Sequence, residues 1–125
     1  MNDNQFLTLV VDVGRILLDY IQNSNKDDYL FITYGDLAKK LPYEFNPRNL
    51  DRPLGALSDY CRDLGLPYIS TIVVNQDTLM PGVGFYKEFF PATKESEQYK
   101  LAFEQNKLVR QCRDWTPLAA ELGLE

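Results

Sequence analysis

Histidine is absent from the 125-residue chain, and two cysteines and one tryptophan are all it has of those types. Without an imidazole, no side chain ordinarily changes charge near neutral pH. Ser-His-Asp triads, Cys-His pairs and histidine-bearing metal sites are excluded with it. Cys61 and Cys112 stand far apart with no CxxC pair, so the disulfide framework of small secreted domains is missing too. They read as two half-buried thiols on helices, with a single disulfide between them as the alternative. Positive charge is also scarce: Lys+Arg 13 against Asp+Glu 18 gives a net charge of −5. That balance argues against a general nucleic-acid coat protein but leaves room for a small basic face on an acidic body. No apolar run approaches the roughly 18–20 residues of a bilayer span. The opening MNDNQFLTLVVDVGRILLDY carries acids where a secretory leader needs positive charge. The expectation is one cytoplasmic globular domain over 1–125, with no membrane association.

What the sequence does contain is periodic. Phe6, Val10, Val13, Leu17, Tyr20 and Ile21 recur at spacings of three and four, predicting a helix over 4–22 with Asn2 or Asp3 as its cap. A polar loop, 23–28, follows, then a short apolar run, 29–32. Thr33, Tyr34, Gly35 and Asp36 form a capping-box-like start with Asp in place of Glu, and the helix 34–41 ends at Pro42. Asn46 followed by Pro47 opens a third helical stretch to about Leu64, with Leu50, Leu54, Leu57 and Cys61 as its buried row and Gly65 as its stop. Pro53 should kink or split it. Two helices joined by a short turn make a helix-turn-helix candidate. The period then changes to two: YISTIVV (68–74) predicts a strand, 75–78 a turn, and 79–85 a glycine-loosened return strand. The expected fold is α+β, a winged-helix-like centre over about 30–86 between the N-terminal helix and a C-terminal helix over about 94–113. Trp115, Leu118 and Leu122 form a tail docked on the core.

The catalytic inventory is poor. Asp27 and Asp28 lie in a polar loop, and Met80 to Gly84 contains GxG without the third glycine or the strand-then-helix context of a dinucleotide site. Those glycines read as turn geometry. Two cysteines without histidine hold metal weakly. The expectation is a protein that is not an enzyme and has no cofactor and no metal.

The segments ITYGDLAKKL, NPRNLDRPLGAL and LPYISTIVVN, over residues 32–75, resemble the DNA-binding domain of the alkylguanine-DNA alkyltransferases and the non-catalytic alkyltransferase-like proteins. In that family a T/S-Y-G-x-[IL]-A segment opens the first helix, Arg-x-Val-Gly-x-Ala-Leu forms the recognition helix, and Pro-Cys-His-Arg-Val-Val carries the reactive cysteine. The resemblance puts Tyr34 on the tyrosine that helps rotate a nucleotide out of the duplex, and Arg48 on the arginine that fills the vacated space. Pro67 and Tyr68 fall on Pro-Cys, and Val73, Val74 and Asn75 on Val-Val-Asn. Tyr68 at the nucleophile position implies no alkyl transfer. Two extra residues before Val73, and Asp51 where the family has glycine, are departures. What the resemblance implies is DNA binding or base flipping without chemistry, in a bacterial or phage repair, modification or defence setting.

The charges alone leave the function open. Residues 32–55 hold four cations against three carboxylates, a net of +1, so the remainder carries −6. Arg48 and Arg52, one helical turn apart in the expected helix, share a face that suits a groove. The candidate DNA-binding set is Tyr34, Lys39, Arg48, Asn49, Arg52, Tyr68 and Asn75, with double-stranded DNA as partner. A structural role is the alternative for each: Tyr34 packed on the core, Lys39 and Lys40 as helix surface, the arginines paired with Asp51 and Asp59. The aromatic segment 85–90 reads as core, as a pocket lining, or as a protein anchor. A second function of a different class stands beside DNA binding: a small acidic inhibitor or immunity protein that blocks a basic, nucleic-acid-processing enzyme. A third is an oligomerisation scaffold.

Overall fold

A computed structural model describes residues 1–124. It is mostly helical, with six α-helices, three short 3-10 turns and a two-stranded parallel sheet among those residues. Helix α1, Asp3–Gln22, begins at a full capping box: Asn2 Oδ1 accepts from the Gln5 N–H at 2.8 Å, and Gln5 Oε1 accepts from the Asn2 N–H at 2.9 Å. Its inner stripe, Leu9, Val10, Val13, Leu17 and Ile21, is buried and forms the spine of the core. No helix among the described residues is long and apolar enough to cross a membrane.

Strand β1, Ile32–Thr33, leads directly into helix α2, Tyr34–Lys40, where the Thr33 hydroxyl accepts from the Asp36 N–H at 3.1 Å. Asn46 caps as expected, but what it caps is a 3-10 turn, Pro47–Asn49. Helix α3, Asp51–Asp63, starts after it. The stretch expected from Pro47 to Leu64 is divided, but the break falls at Leu50 rather than at Pro53, which lies in the first turn of α3, where its missing N–H has no intrahelical acceptor to lose. The first full helical bond is made by Leu54 N–H to the Leu50 carbonyl at 3.0 Å. Arg48 therefore sits in the 3-10 turn and Arg52 in α3, rather than one turn apart on a single helix.

The expected β-hairpin does not form. Only Val73–Val74 is strand, β2, and it pairs in parallel with β1, Ile32 opposite Val73 and Thr33 opposite Val74. Residues Ile69–Ile72 form a 3-10 turn in which all four are buried. Local side-chain bonds support the turn: the Thr71 hydroxyl donates to the Tyr68 carbonyl at 2.7 Å, and the Ser70 hydroxyl lies 2.6 Å from that of Ser58 on α3. The return arm also fails. A tight loop closes through Leu79 N–H to the Asn75 carbonyl at 2.8 Å, leaving Leu79 at φ 56. Pro81 then has no N–H to give a ladder, and Gly82 opens helix α4, Val83–Phe89.

The C-terminal part is two helices. After a 3-10 turn, Glu95–Glu97, α5 runs Gln98–Gln111, later in starting than the expected 94, and α6 spans Thr116–Glu121. Leu118 and Leu122 dock the tail on α1 and α3 as expected, and Trp115 is half-buried. At Gly14 the helices meet closely: a Cβ there would lie 2.5 Å from Leu122 Cδ1 and 3.1 Å from Leu57 Cδ2. Asn106 of α5 is fully buried and bonds both backbone groups of Leu30, tying α5 to the approach to β1.

Candidate nucleic-acid interface

The α2 to α3 connection displays the exposed cations of this region. Lys39 and Lys40 fall in the last turn of α2, where positive charge suits the helix C-terminus, and both are exposed. Buried anchors hold both ends of the connection, Leu41 after α2 and the fully enclosed Leu50 after the Pro47–Asn49 turn. Within that turn the Asn46 side chain accepts from the Arg48 N–H at 3.0 Å, while Asn49 N–H bonds the Asn46 carbonyl at 2.9 Å. Arg48 and Asn49 consequently project into solvent from a fixed backbone. An open cleft of about 820 Å³ separates α2 from this loop, with Lys39 on one wall and Asn46 and Pro47 on the other. Among the described residues, Lys39, Lys40 and Arg48 have no carboxylate within salt-bridge distance; the ion pairs belong to Arg15 and Arg62.

The other sequence candidates lie elsewhere. Arg52 is drawn to α1, its guanidinium carbon 5.0 Å from the centroid of the Phe6 ring. Tyr34, at the first position of α2, turns its hydroxyl toward Asp51 and Gly82. A Cβ at Gly82 would stand 2.7 Å from that hydroxyl, so only glycine admits the approach. Burial first, then the Asp51 charge, push the Tyr34 phenol up to about 12. Tyr68, itself half-buried, packs among aromatic rings, 4.6 Å from Phe89 and 5.5 Å from Phe90 between centroids. In segment 85–90 Phe85 and Tyr86 are buried, Phe89 and Phe90 half-buried, and Lys87 and Glu88 exposed. Asn75 closes the 75–80 loop through its N–H to the Met80 carbonyl at 3.0 Å. Lys39 borders the cleft beside the Asn46–Pro47 loop and Arg48 and Asn49 are exposed in the adjoining turn, whereas Lys40 lines a separate cleft with Asp19, Asp28 and Asp36. Tyr34, Arg52, Tyr68 and Asn75 have intramolecular partners.

Between Tyr34, Asp51, Ser70 and Phe85 lies a cavity of about 60 Å³. That is room for about two waters, too little for a nucleobase unless the walls part. Beside it runs an acidic edge the sequence did not reveal. Asp51, Gly55 and Asp59 line one side of α3, and Glu88 of α4 closes over them, its Oε2 3.1 Å from where a Cβ on Gly55 would be. Burial and the neighbouring Asp59 raise the Glu88 carboxyl above the usual range, with Arg62 acting in the opposite direction. Asp59 and Glu88 are remote in sequence and share no motif, so only the packing of α4 on α3 brings them together. Both cysteines are free, and burial pushes the Cys61 thiol up to about 11, which is the chemistry of an inert core thiol. No cluster of three potential metal ligands exists among the described residues.

No protein-family model, curated protein or solved structure matches the chain.

Proposed function

We propose that the chain is a non-catalytic DNA-binding module, of the kind the alkyltransferase-like resemblance implies, docking through the α2 to α3 connection. The carrying observation is that Lys39, Lys40 and Arg48 are exposed and unpaired in a chain with five more acids than bases. Unpaired cations on a fixed backbone suit phosphate contact, and Asn49 adds a side chain able to bond phosphate or a base edge. The proposed contact is with intact duplex. Base flipping into the Tyr34 cavity finds no support in a space of about 60 Å³.

The test is anisotropy of labelled duplexes carrying unmodified, alkylated-guanine or methylated-cytosine bases. Three phosphate contacts give a log–log salt slope of about −2.7, or roughly fortyfold weaker binding between 50 and 200 mM salt. Arg48→Ala should lower the slope by about 0.9. Absence of binding at low salt, or binding indifferent to Lys39→Ala, Lys40→Ala and Arg48→Ala, overturns the proposal.

A specific observation favours a second function: Asp51 and Asp59 of α3 and Glu88 of α4 outnumber Arg52 along one edge, where Arg62 bridges Asp59, and that net negative edge suits a basic protein. An inhibitor of that kind binds no DNA, and it loses its partner in Asp59→Lys with Glu88→Lys.

A further inference from the structure

On the side of the molecule built from the end of α1, the end of α5 and the start of α6 lies a cleft of about 1070 Å³. It shares no lining residue with the α2 to α3 connection. Four of the 13 Lys and Arg residues, Lys26, Lys107, Arg110 and Arg113, line it against two carboxylates, Asp27 and Asp114. The cleft is thus net positive by two in a chain of net −5.

The charges are arranged rather than scattered. Lys26 directs its ammonium at the Ile21 carbonyl and the Ser24 hydroxyl, capping α1. Arg110 is held through its Nε by the neutral Asn106 Oδ1 at 3.1 Å, with no carboxylate in salt-bridge range among the described residues. Lys107 and Arg113 are exposed and likewise lack a carboxylate partner. Of the two acids, Asp114 is already occupied, accepting from the Thr116 N–H at 3.0 Å and the Thr116 hydroxyl at 2.5 Å. An oriented guanidinium with two exposed cations beside it is a donor set suited to phosphate. The half-buried ring of Trp115 supplies apolar wall in the same cleft.

We propose that this cleft binds a phosphate group carrying at least two negative charges, with Arg110, Lys107 and Arg113 as its donors and the Trp115 ring alongside. Two sources share that chemistry: a free di- or polyphosphate such as a nucleotide, and the phosphorylated end of a nucleic-acid strand.

Trp115 is the single tryptophan, so its fluorescence reports on this cleft alone. The probes are inorganic pyrophosphate, a nucleoside diphosphate, and a short oligothymidylate with and without a 5′-phosphate, each titrated against the intact chain. A saturable change in Trp115 emission is the expected result. Lys107→Ala with Arg113→Ala should weaken it by more than about tenfold, as loss of two charge-assisted contacts requires. Arg48→Ala should leave it unchanged, which separates this site from the duplex interface. Response to pyrophosphate assigns a small-molecule ligand; response only to the 5′-phosphorylated strand assigns a strand end. Silence with every probe, or undiminished binding in a double variant that folds by circular dichroism, overturns the proposal.

Discussion

Replacing Asn106 by alanine should cost the fold more than any other single polar change described here. Its amide donates to the Leu30 carbonyl at 2.6 Å, while its Oδ1 accepts from the Leu30 N–H at 3.2 Å and from Arg110 Nε at 3.1 Å. The side chain is fully buried, so water cannot replace what is removed. Stranding a buried backbone donor and acceptor costs roughly 1–3 kcal/mol each. Leaving out any gain from relaxation, Asn106→Ala should destabilise by about 3 kcal/mol, a large share of the ~5–15 kcal/mol that holds a domain folded. In a chain of this size that lowers Tm by about 10–15 °C. Urea unfolding followed by circular dichroism and Trp115 emission measures it. Asn106→Asp keeps both accepting interactions but loses the donor and sets an oxygen against the Leu30 carbonyl, so it should be no milder than alanine. A loss below about 1 kcal/mol in the alanine variant, or a neutral aspartate variant, would refute the claim that this amide clamps α5 to the β1 segment.

Two further outcomes are expected. Tyr29, Tyr34 and Tyr43 have phenols pushed up to about 12, with burial the first cause in each, so they should ionise well above the usual phenol value of 10.0. A raised phenol favours the folded state below its unfolded value and gives that advantage up as pH climbs through the folded one. Stability should therefore hold to about pH 10 and fall between about 10 and 12; a phenolate absorbance titration complete for all tyrosines by pH 11 would contradict this. Pro53→Ala should change stability by less than about 1 kcal/mol, because the proline occupies the first turn of α3. A gain approaching ~3 kcal/mol in denaturant unfolding would instead mark a helix-interior proline.

The helices were legible where local signals and burial agree. Asn2 bonding the Gln5 N–H, Thr33 that of Asp36, and Asn46 that of Arg48 are caps whose hydrogen bonds form within three residues, independent of the rest of the chain. The β-branched run 68–74 misled because Thr71, bonding back to the Tyr68 carbonyl, and Ser70, bonding Ser58 of α3, support a 3-10 turn over Ile69–Ile72 and leave only Val73–Val74 as strand. Pairing of β2 with β1, across nearly 40 intervening residues, leaves no local mark. The site divides in the same way. Exposure of Lys39, Arg48 and Asn49 follows from their place at a helix end and a capped turn. The inward turn of Tyr34 depends on Gly82 from a distant loop, and Arg52 on Phe6 of α1.

The same distribution of charge limits how DNA affinity can depend on salt. At 0.1 M ionic strength charges interact across only about 10 Å, so an approaching phosphate senses Lys39, Lys40 and Arg48 ahead of most of the acidic surface. Asp51, at the start of α3, is the carboxylate closest in sequence to Arg48 on its C-terminal side. As ionic strength falls toward 0.01 M the screening length grows to about 30 Å, and the net −5 of the whole chain then opposes binding. Counterion release and self-repulsion thus pull in opposite directions at low salt. Affinity should flatten there rather than keep rising along the slope of about −2.7 set by three phosphates. A basic protein partner would meet the reverse balance: long-range attraction to the acidic body persists at low salt, and its affinity would keep rising. The shape of the low-salt limb therefore separates the two functions by the sign of the long-range field.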